Sequence, residues 1–100
     1  MITQADIETG AAALRAYVYA IDGWEANFVQ WGTYEQGAAL ILKAWDAEDA
    51  SMQPAARYAA CGAALYKTIY DAGYASQVTQ DQCTAGAKAV LAVTRNPPTT

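Results

Sequence analysis

Residues 33–49 read TYEQGAALILKAWDAED and carry the local signals of one complete helix. Thr33 and Gln36 have the spacing of a capping box, in which each side chain satisfies a backbone amide at the start of a helix. The apolar residues that follow recur at the three- and four-residue steps of one helical face. We therefore predict a helix that Thr33 caps and that ends at about Asp49. Its inner face should consist of Ala38, Ile41, Leu42 and Trp45.

The glycine in this stretch belongs to a fourfold pattern of a glycine followed by alanines and an aliphatic residue. The copies begin at Gly10, Gly37, Gly62 and Gly86, at intervals of 24 to 27 residues. A period in this range indicates a repeated supersecondary unit, although an alanine-rich helical chain can also produce such strings by composition. If these glycines let helices approach closely, leucine at Gly37 or Gly62 should destabilise the fold. Alanine there should be nearly neutral or stabilising.

Three more helices are predicted from apolar spacing and from end signals. Capping boxes begin the first at Thr3 and the last at Thr79, and Pro54 begins the one between them. Gly23, Gly73 and the Asn96-Pro97-Pro98 sequence lie where these helices should stop. Their predicted ranges are about 4–21, 54–72 and 80–95. Their inner faces should carry Ile7, Ala11, Leu14, Val18 and Ile21, then Tyr58, Cys61, Leu65 and Ile69, then Cys83, Ala87, Val90 and Leu91.

The connector after the first helix also has helical spacing, at Trp24, Phe28 and Trp31, so we predict a short helix there. No stretch alternates between apolar and polar residues as a strand does. The predicted fold is all-α: a compact single-domain antiparallel bundle of four main helices plus this short connector helix. The domain should span residues 1–100, with a frayed tail at about 96–100.

Composition and charge narrow the functional classes. The net charge is −4 and only six residues are basic, which argues against direct binding to nucleic-acid phosphates. The first eight residues lack the positive charge of a signal peptide, and no apolar run has the length of a membrane span. We therefore expect a soluble, non-exported, cytoplasmic protein that does not bind membranes.

Catalytic signatures are missing from the sequence. There is no histidine, so nucleophilic triads of the Ser-His and Cys-His kinds are excluded. Of the two cysteines, Cys83 is the more reactive candidate because it lies near a helix start, where the macrodipole lowers a thiol pKa. Without a base partner, Cys61 and Cys83 are better interpreted as buried core residues with free thiols. We predict no enzyme activity, no catalytic residue, no metal site and no cofactor.

Acidic residues near helix C-termini form the first candidate binding surface. Five of the ten acids lie there, where negative charge is unfavourable. Three of them are close together at Asp46, Glu48 and Asp49. The sequence favours an electrostatic patch for a basic partner, and the alternative is an ordinary solvated helix end.

Aromatic residues crowded into the first third of the chain form the second candidate surface. Tyr17 and Tyr19 are two positions apart on one helix, so they cannot both lie on its buried face. Exposed tyrosine and tryptophan are typical of protein interfaces, although core packing is the alternative interpretation. The aromatic candidates for partner binding are Tyr19, Trp24, Trp31 and Tyr34.

These observations favour a non-catalytic protein-protein interaction protein, a monomer or small homo-oligomer, whose partner has a basic surface. In size and composition, though in no motif, the chain is similar to small acidic phage or mobile-element proteins that inhibit host machinery, including anti-CRISPR proteins. The resemblance implies an inhibitor that blocks the basic, nucleic-acid-binding surface of a host complex. One alternative is a structural or assembly protein that homo-oligomerises. A less favoured one is a small-ligand binder with a pocket formed by Trp24, Phe28, Trp31 and Tyr34.

Overall fold

A computed structural model describes residues 2–20, 33–48, 51–71, 73 and 79–95. The helices in these ranges are α1 (Gln4–Tyr19), α2 (Tyr34–Ala47), α3 (Pro54–Asp71) and α4 (Gln80–Thr94). No strand occurs in the described ranges, which confirms the all-helical prediction. The predicted connector helix and the tail at 96–100 lie outside the described residues.

The helix starts match the sequence signals. The capping boxes of α1, α2 and α4 are all present, at Thr3, Thr33 and Thr79. In each, the threonine hydroxyl accepts the backbone N–H of the residue three positions on, at 3.1 Å. Just beyond the end of α3, Gly73 has a φ of +94°, a conformation that favours glycine. Local chemistry therefore determines where these helices begin and where α3 ends.

The core consists of the predicted inner faces. Ile7 is only partly buried, and Ile21 lies outside the described residues. The other predicted residues are buried: Ala11, Leu14, Val18, Ala38, Ile41, Leu42, Trp45, Tyr58, Cys61, Leu65, Ile69, Cys83, Ala87, Val90 and Leu91.

The four helices close into a ring. Each helix packs against its two neighbours in the order α1, α2, α3, α4, so that α4 also contacts α1. A smaller contact crosses the ring between α2 and α4. Since α1 packs on both the second and the last helix, the core is assembled from both ends of the chain.

Helices α3 and α4 approach each other closely at Gly62. A Cβ atom built on Gly62 would lie 2.6 Å from the backbone Cα of Thr84 and 2.7 Å from its backbone nitrogen. The prediction of close approach at this glycine is therefore confirmed. The prediction that alanine would be nearly neutral there is wrong, because the atoms in contact belong to backbone that a rotamer change cannot move.

All four glycines of the repeat are buried, but the second and third copies do not bury equivalent faces. Trp45 and Tyr70 occupy matching positions in the aligned copies, yet Trp45 is 6% exposed and Tyr70 is 62% exposed. Leu40 is partly buried, whereas its counterpart Leu65 is fully buried. The resemblance between the copies therefore extends to the glycine and not to the packing around it.

Candidate functional site

Two of the predicted aromatic residues meet at a surface groove between α1 and α2. Tyr19 is the last residue of α1 and Tyr34 is the first residue of α2. Their ring centroids are 6.4 Å apart and their planes are inclined by 76°. Tyr19 is 49% exposed, whereas Tyr34 is partly buried and packs against the core.

This α1–α2 groove has a volume of about 350 Å³. Its described lining consists of Glu8, Ala11, Ala12, Arg15, Tyr19, Tyr34 and Glu35. Glu8 is eleven residues before Tyr19, which corresponds to about 16 Å along a helix. The groove therefore follows most of α1, with the two tyrosines and Glu35 at one end and Glu8 at the other.

Arg15 organises the tyrosine end of the groove. Its Nη2 donates a hydrogen bond to the Tyr19 hydroxyl at 3.1 Å, and its Cζ lies 4.9 Å from the centre of the Tyr19 ring. A guanidinium on a tyrosine face is an attractive cation–π contact. The described lining thus holds two carboxylates and one guanidinium, and that guanidinium already contacts Tyr19 within the chain.

Asp46, a predicted binding residue, is engaged within the chain by Arg95. Arg95 Nε donates to Asp46 Oδ1 at 3.1 Å and Nη2 donates to Oδ2 at 2.9 Å. Its third nitrogen, Nη1, donates to Asp6 Oδ2 at 3.1 Å. We call these three side chains the Arg95 clasp. It joins the end of α4 to the first turn of α1 and the last turn of α2.

The clasp changes the protonation equilibria of its members. Hydrogen bonding from Arg95 lowers the pKa of Asp46 and of Asp6 below the ordinary aspartate value. The two carboxylates in turn raise the pKa of Arg95. The position of Asp46 near a helix C-terminus is thus explained by an ion pair inside the chain, and a partner protein is not needed to account for it.

Of the other two acidic candidates, Glu48 and Asp49, the structure describes only Glu48. Glu48 is half-buried at the C-cap of α2, and its N–H donates to the Trp45 carbonyl at 3.3 Å. Asp49 lies outside the described residues, as do the aromatic candidates Trp24 and Trp31. Asp46 is twelve residues from Tyr34 on the same helix, about 18 Å along its axis. Among the described candidates, the structure therefore separates Asp46 from Tyr34.

Arg57 was missed by the sequence reasoning. From α3, its Nε and Nη2 donate to the Trp45 carbonyl at 3.2 and 2.7 Å. Its Cζ also lies 3.8 Å from the centre of the Trp45 ring. The guanidinium thus occupies the C-terminal end of α2, where positive charge is favourable. The available signal was an arginine in the first turn of the helix that follows.

Both cysteines are fully buried and free. Burial raises the pKa of Cys61 to about 11 and that of Cys83 to about 12. The core interpretation is therefore confirmed. The suggestion that the helix start makes Cys83 the more reactive thiol is wrong, because desolvation of the thiolate outweighs the macrodipole at this position.

We expect neither thiol to react readily with an aromatic disulfide reagent in the native state at pH 8, since the thiolate fraction is small and access is blocked. Two thiols should titrate once the chain is unfolded in guanidinium chloride. The measurement is absorbance of the released thiolate with and without denaturant. Rapid reaction of one native thiol would contradict the assigned burial.

Among the residues that the structure describes, no group of three cysteine or acidic side chains is arranged to hold a metal ion. None of the described helices is long and apolar enough to span a membrane. Comparison with protein-family models, with curated proteins and with solved structures finds no match.

Proposed function

We propose that this chain is a non-catalytic binding protein that contacts the basic surface of another protein through the α1–α2 groove. The observation that carries the proposal is Tyr19, which is half exposed, lies beside Tyr34 and accepts a hydrogen bond from Arg15 of the same helix. Tyrosine is enriched among the residues that dominate binding energy, and a side chain already held in position loses little entropy on binding. Two carboxylates in the lining and the net charge of −4 favour a basic partner.

More specifically, we propose that the chain is a cytoplasmic inhibitor from a phage or mobile element, similar to anti-CRISPR proteins. It would cover the nucleic-acid-binding surface of a host complex. The support is the negative charge and the lack of histidine, and hence of a histidine-based catalytic site, in this sequence. Glu48 and Asp49 remain proposed as a second contact. Asp46 contributes less there, because Arg95 neutralises it.

The proposed architecture behind the groove is an antiparallel bundle with a short connector helix at 24–31. Gly10, in the first half of α1, lies against Val90 near the end of α4. Gly86, earlier in α4, lies against Leu14 further along α1. These two contacts support opposite directions for α1 and α4. Trp24 and Trp31 follow Tyr19 and precede Tyr34 in the chain, so we propose that they extend the same surface.

Affinity capture tests the proposal. The immobilised chain is incubated with a host lysate, and retained proteins are quantified by mass spectrometry for the natural sequence, Tyr19→Ala and Tyr70→Ala. Tyr70 is the matched control, an exposed tyrosine on α3 outside the groove. If Tyr19 is a binding hot spot worth about 2 kcal/mol, Tyr19→Ala weakens retention of the specific partner by about 30-fold. Tyr70→Ala should retain it fully.

Ionic strength provides a second readout of the same experiment. A contact built on carboxylates facing a basic surface weakens as salt rises, because exposed charges are screened. Retention should therefore fall between low and high salt. Equal retention by all three chains, with no salt dependence, would remove the groove as the binding surface.

Homo-oligomerisation is the second candidate function, and one observation favours it. A separate groove of about 360 Å³ is lined by Gln36, Ala39, Leu40 and Thr68, with no charged side chain in its described lining. Analytical ultracentrifugation over a hundredfold concentration range distinguishes the candidates. A mass that rises with concentration, and that Ala39→Lys abolishes, would support assembly over inhibition.

A further inference from the structure

We infer that the occupant of the α1–α2 groove is an extended segment of the partner with an arginine at each end of about five residues and uncharged small residues between them. The inference rests on the proposed function, because it names the chemistry of the segment that binds there.

The dimensions of the groove favour extended chain. The 16 Å between Glu8 and Tyr19 corresponds to about five residues at 3.3 Å per residue. Two of the lining residues between these ends are alanines, Ala11 and Ala12. Side chains of this size allow a peptide backbone to approach the helix closely.

The charges of the groove require a cation near each end. Within the described ranges, no ion pair involves Glu8 or Glu35, whereas Asp6, Asp46 and Asp71 each have a basic partner. A partner that covers Glu8 and Glu35 removes water from both carboxylates. That step is unfavourable unless the partner supplies a positive charge and hydrogen-bond donors.

Arginine fits these ends better than lysine. Its planar guanidinium donates two parallel hydrogen bonds to a carboxylate, stacks on aromatic rings and is weakly hydrated. The chain already shows this chemistry twice, with Arg15 on the Tyr19 ring and Arg57 on the Trp45 ring. At the tyrosine end, a partner guanidinium would bind Glu35 beside the inclined rings.

Arg15 determines what lies between the ends. Arg15 lies between Glu8 and Tyr19 along α1 and its guanidinium is over the Tyr19 ring, so it repels a cation placed beside it between the two ends of the segment. Among the described lining residues, two carboxylates against one guanidinium give a net negative charge, so an acidic segment is disfavoured as a whole.

The test uses three blocked synthetic peptides of equal length: Arg-Ala-Ala-Ala-Arg, Lys-Ala-Ala-Ala-Lys and Glu-Ala-Ala-Ala-Glu. Binding to the full chain is followed by two-dimensional amide NMR at low salt. We expect the arginine peptide to bind about 3- to 10-fold more tightly than the lysine peptide, with shifts confined to α1 and the start of α2. We expect no saturable binding of the glutamate peptide.

Variants locate the contacts. Glu8→Gln and Glu35→Gln should each weaken the arginine peptide by about 3- to 10-fold, and Tyr19→Ala by about 10-fold. Tyr70→Ala is the control and should leave binding unchanged, and circular dichroism verifies that each variant is folded. Equal affinity for the arginine and glutamate peptides, or no effect of the two glutamine variants, would overturn the inference.

The outcome separates this inference from the function on which it rests. If Tyr19→Ala loses the captured partner while the glutamine variants retain it, the groove binds a protein segment that is not basic, and only the inference fails. If the arginine peptide binds but Tyr19→Ala leaves capture unchanged, the groove recognises arginine and the proposed interface is wrong.

Discussion

Gly62→Ala is expected to destabilise the fold by about 1–3 kcal/mol, even though alanine is the better helix former. A Cβ at this position would lie 2.6 Å from the Thr84 Cα, so α3 and α4 must move apart to admit it. Their separation disturbs the packing of Leu65 and Cys83, which are fully buried on these two helices. For a domain of this size, the loss corresponds to a fall of about 5–20 °C in melting temperature.

Gly86→Ala is the matched control for this prediction. A Cβ there would meet Leu14 Cδ1 at 3.2 Å and the Tyr17 ring at 3.5 Å, and these are side-chain atoms that can adjust. We expect the free energy of unfolding of Gly86→Ala to be unchanged or to increase by up to about 1 kcal/mol, because alanine has the higher helix propensity. Thermal and urea unfolding measure both variants. A Gly62→Ala variant as stable as Gly86→Ala would show that α3 and α4 are not in backbone contact.

Arg95→Met is expected to lower the melting temperature at pH 7 by about 5 °C. The Arg95 side chain is 19% exposed and donates hydrogen bonds to Asp6 on α1 and to Asp46 on α2. Methionine retains part of the apolar stem but leaves both carboxylates without their cation, which is unfavourable for partly buried acids. Lys67→Met is the control. It removes an ion pair whose side chains are 77% and 60% exposed, and such pairs contribute little.

The pH dependence identifies the ion pairs as the cause. The pKa values of Asp6 and Asp46 are lowered in the folded state. Their contribution to the stability of the fold is therefore complete above the ordinary aspartate pKa and is lost as the pH falls through the lowered pKa values. The difference in melting temperature between the natural chain and Arg95→Met should therefore be greatest near neutral pH and disappear in acid. A difference that persists unchanged at low pH would assign the effect to packing of the arginine stem.

Helix positions and inner faces were predictable because their signals are local. Each threonine cap and its partner are three residues apart, and an inner face is a spacing within one helix. Pro54 and Gly73 add backbone preferences that also act over a few residues. These features do not depend on how the helices meet, so the structure reproduces them closely.

The contacts between helices were not predictable in this way. Arg95 is 49 residues from Asp46 and 89 from Asp6, and no spacing rule relates them. At Gly62, the sequence indicated close approach, but only the helix crossing shows that Thr84 backbone is what it meets. For the same reason the candidate residues could be named from the sequence, while the distance between Asp46 and Tyr34 and the role of Arg15 could not.

The closed ring of helices has a consequence for synthesis of the chain. The inner face of α1 packs on α2 and on α4, and the clasp that fixes its first turn depends on Arg95. A nascent chain that has not yet released residues 80–95 from the ribosome can form neither the packing of α1 on α4 nor the Arg95 clasp. Leu14 and Val18, which are fully buried in the finished fold, would remain partly uncovered until then. Folding of this domain is therefore expected to wait until residues 80–95 have left the ribosome.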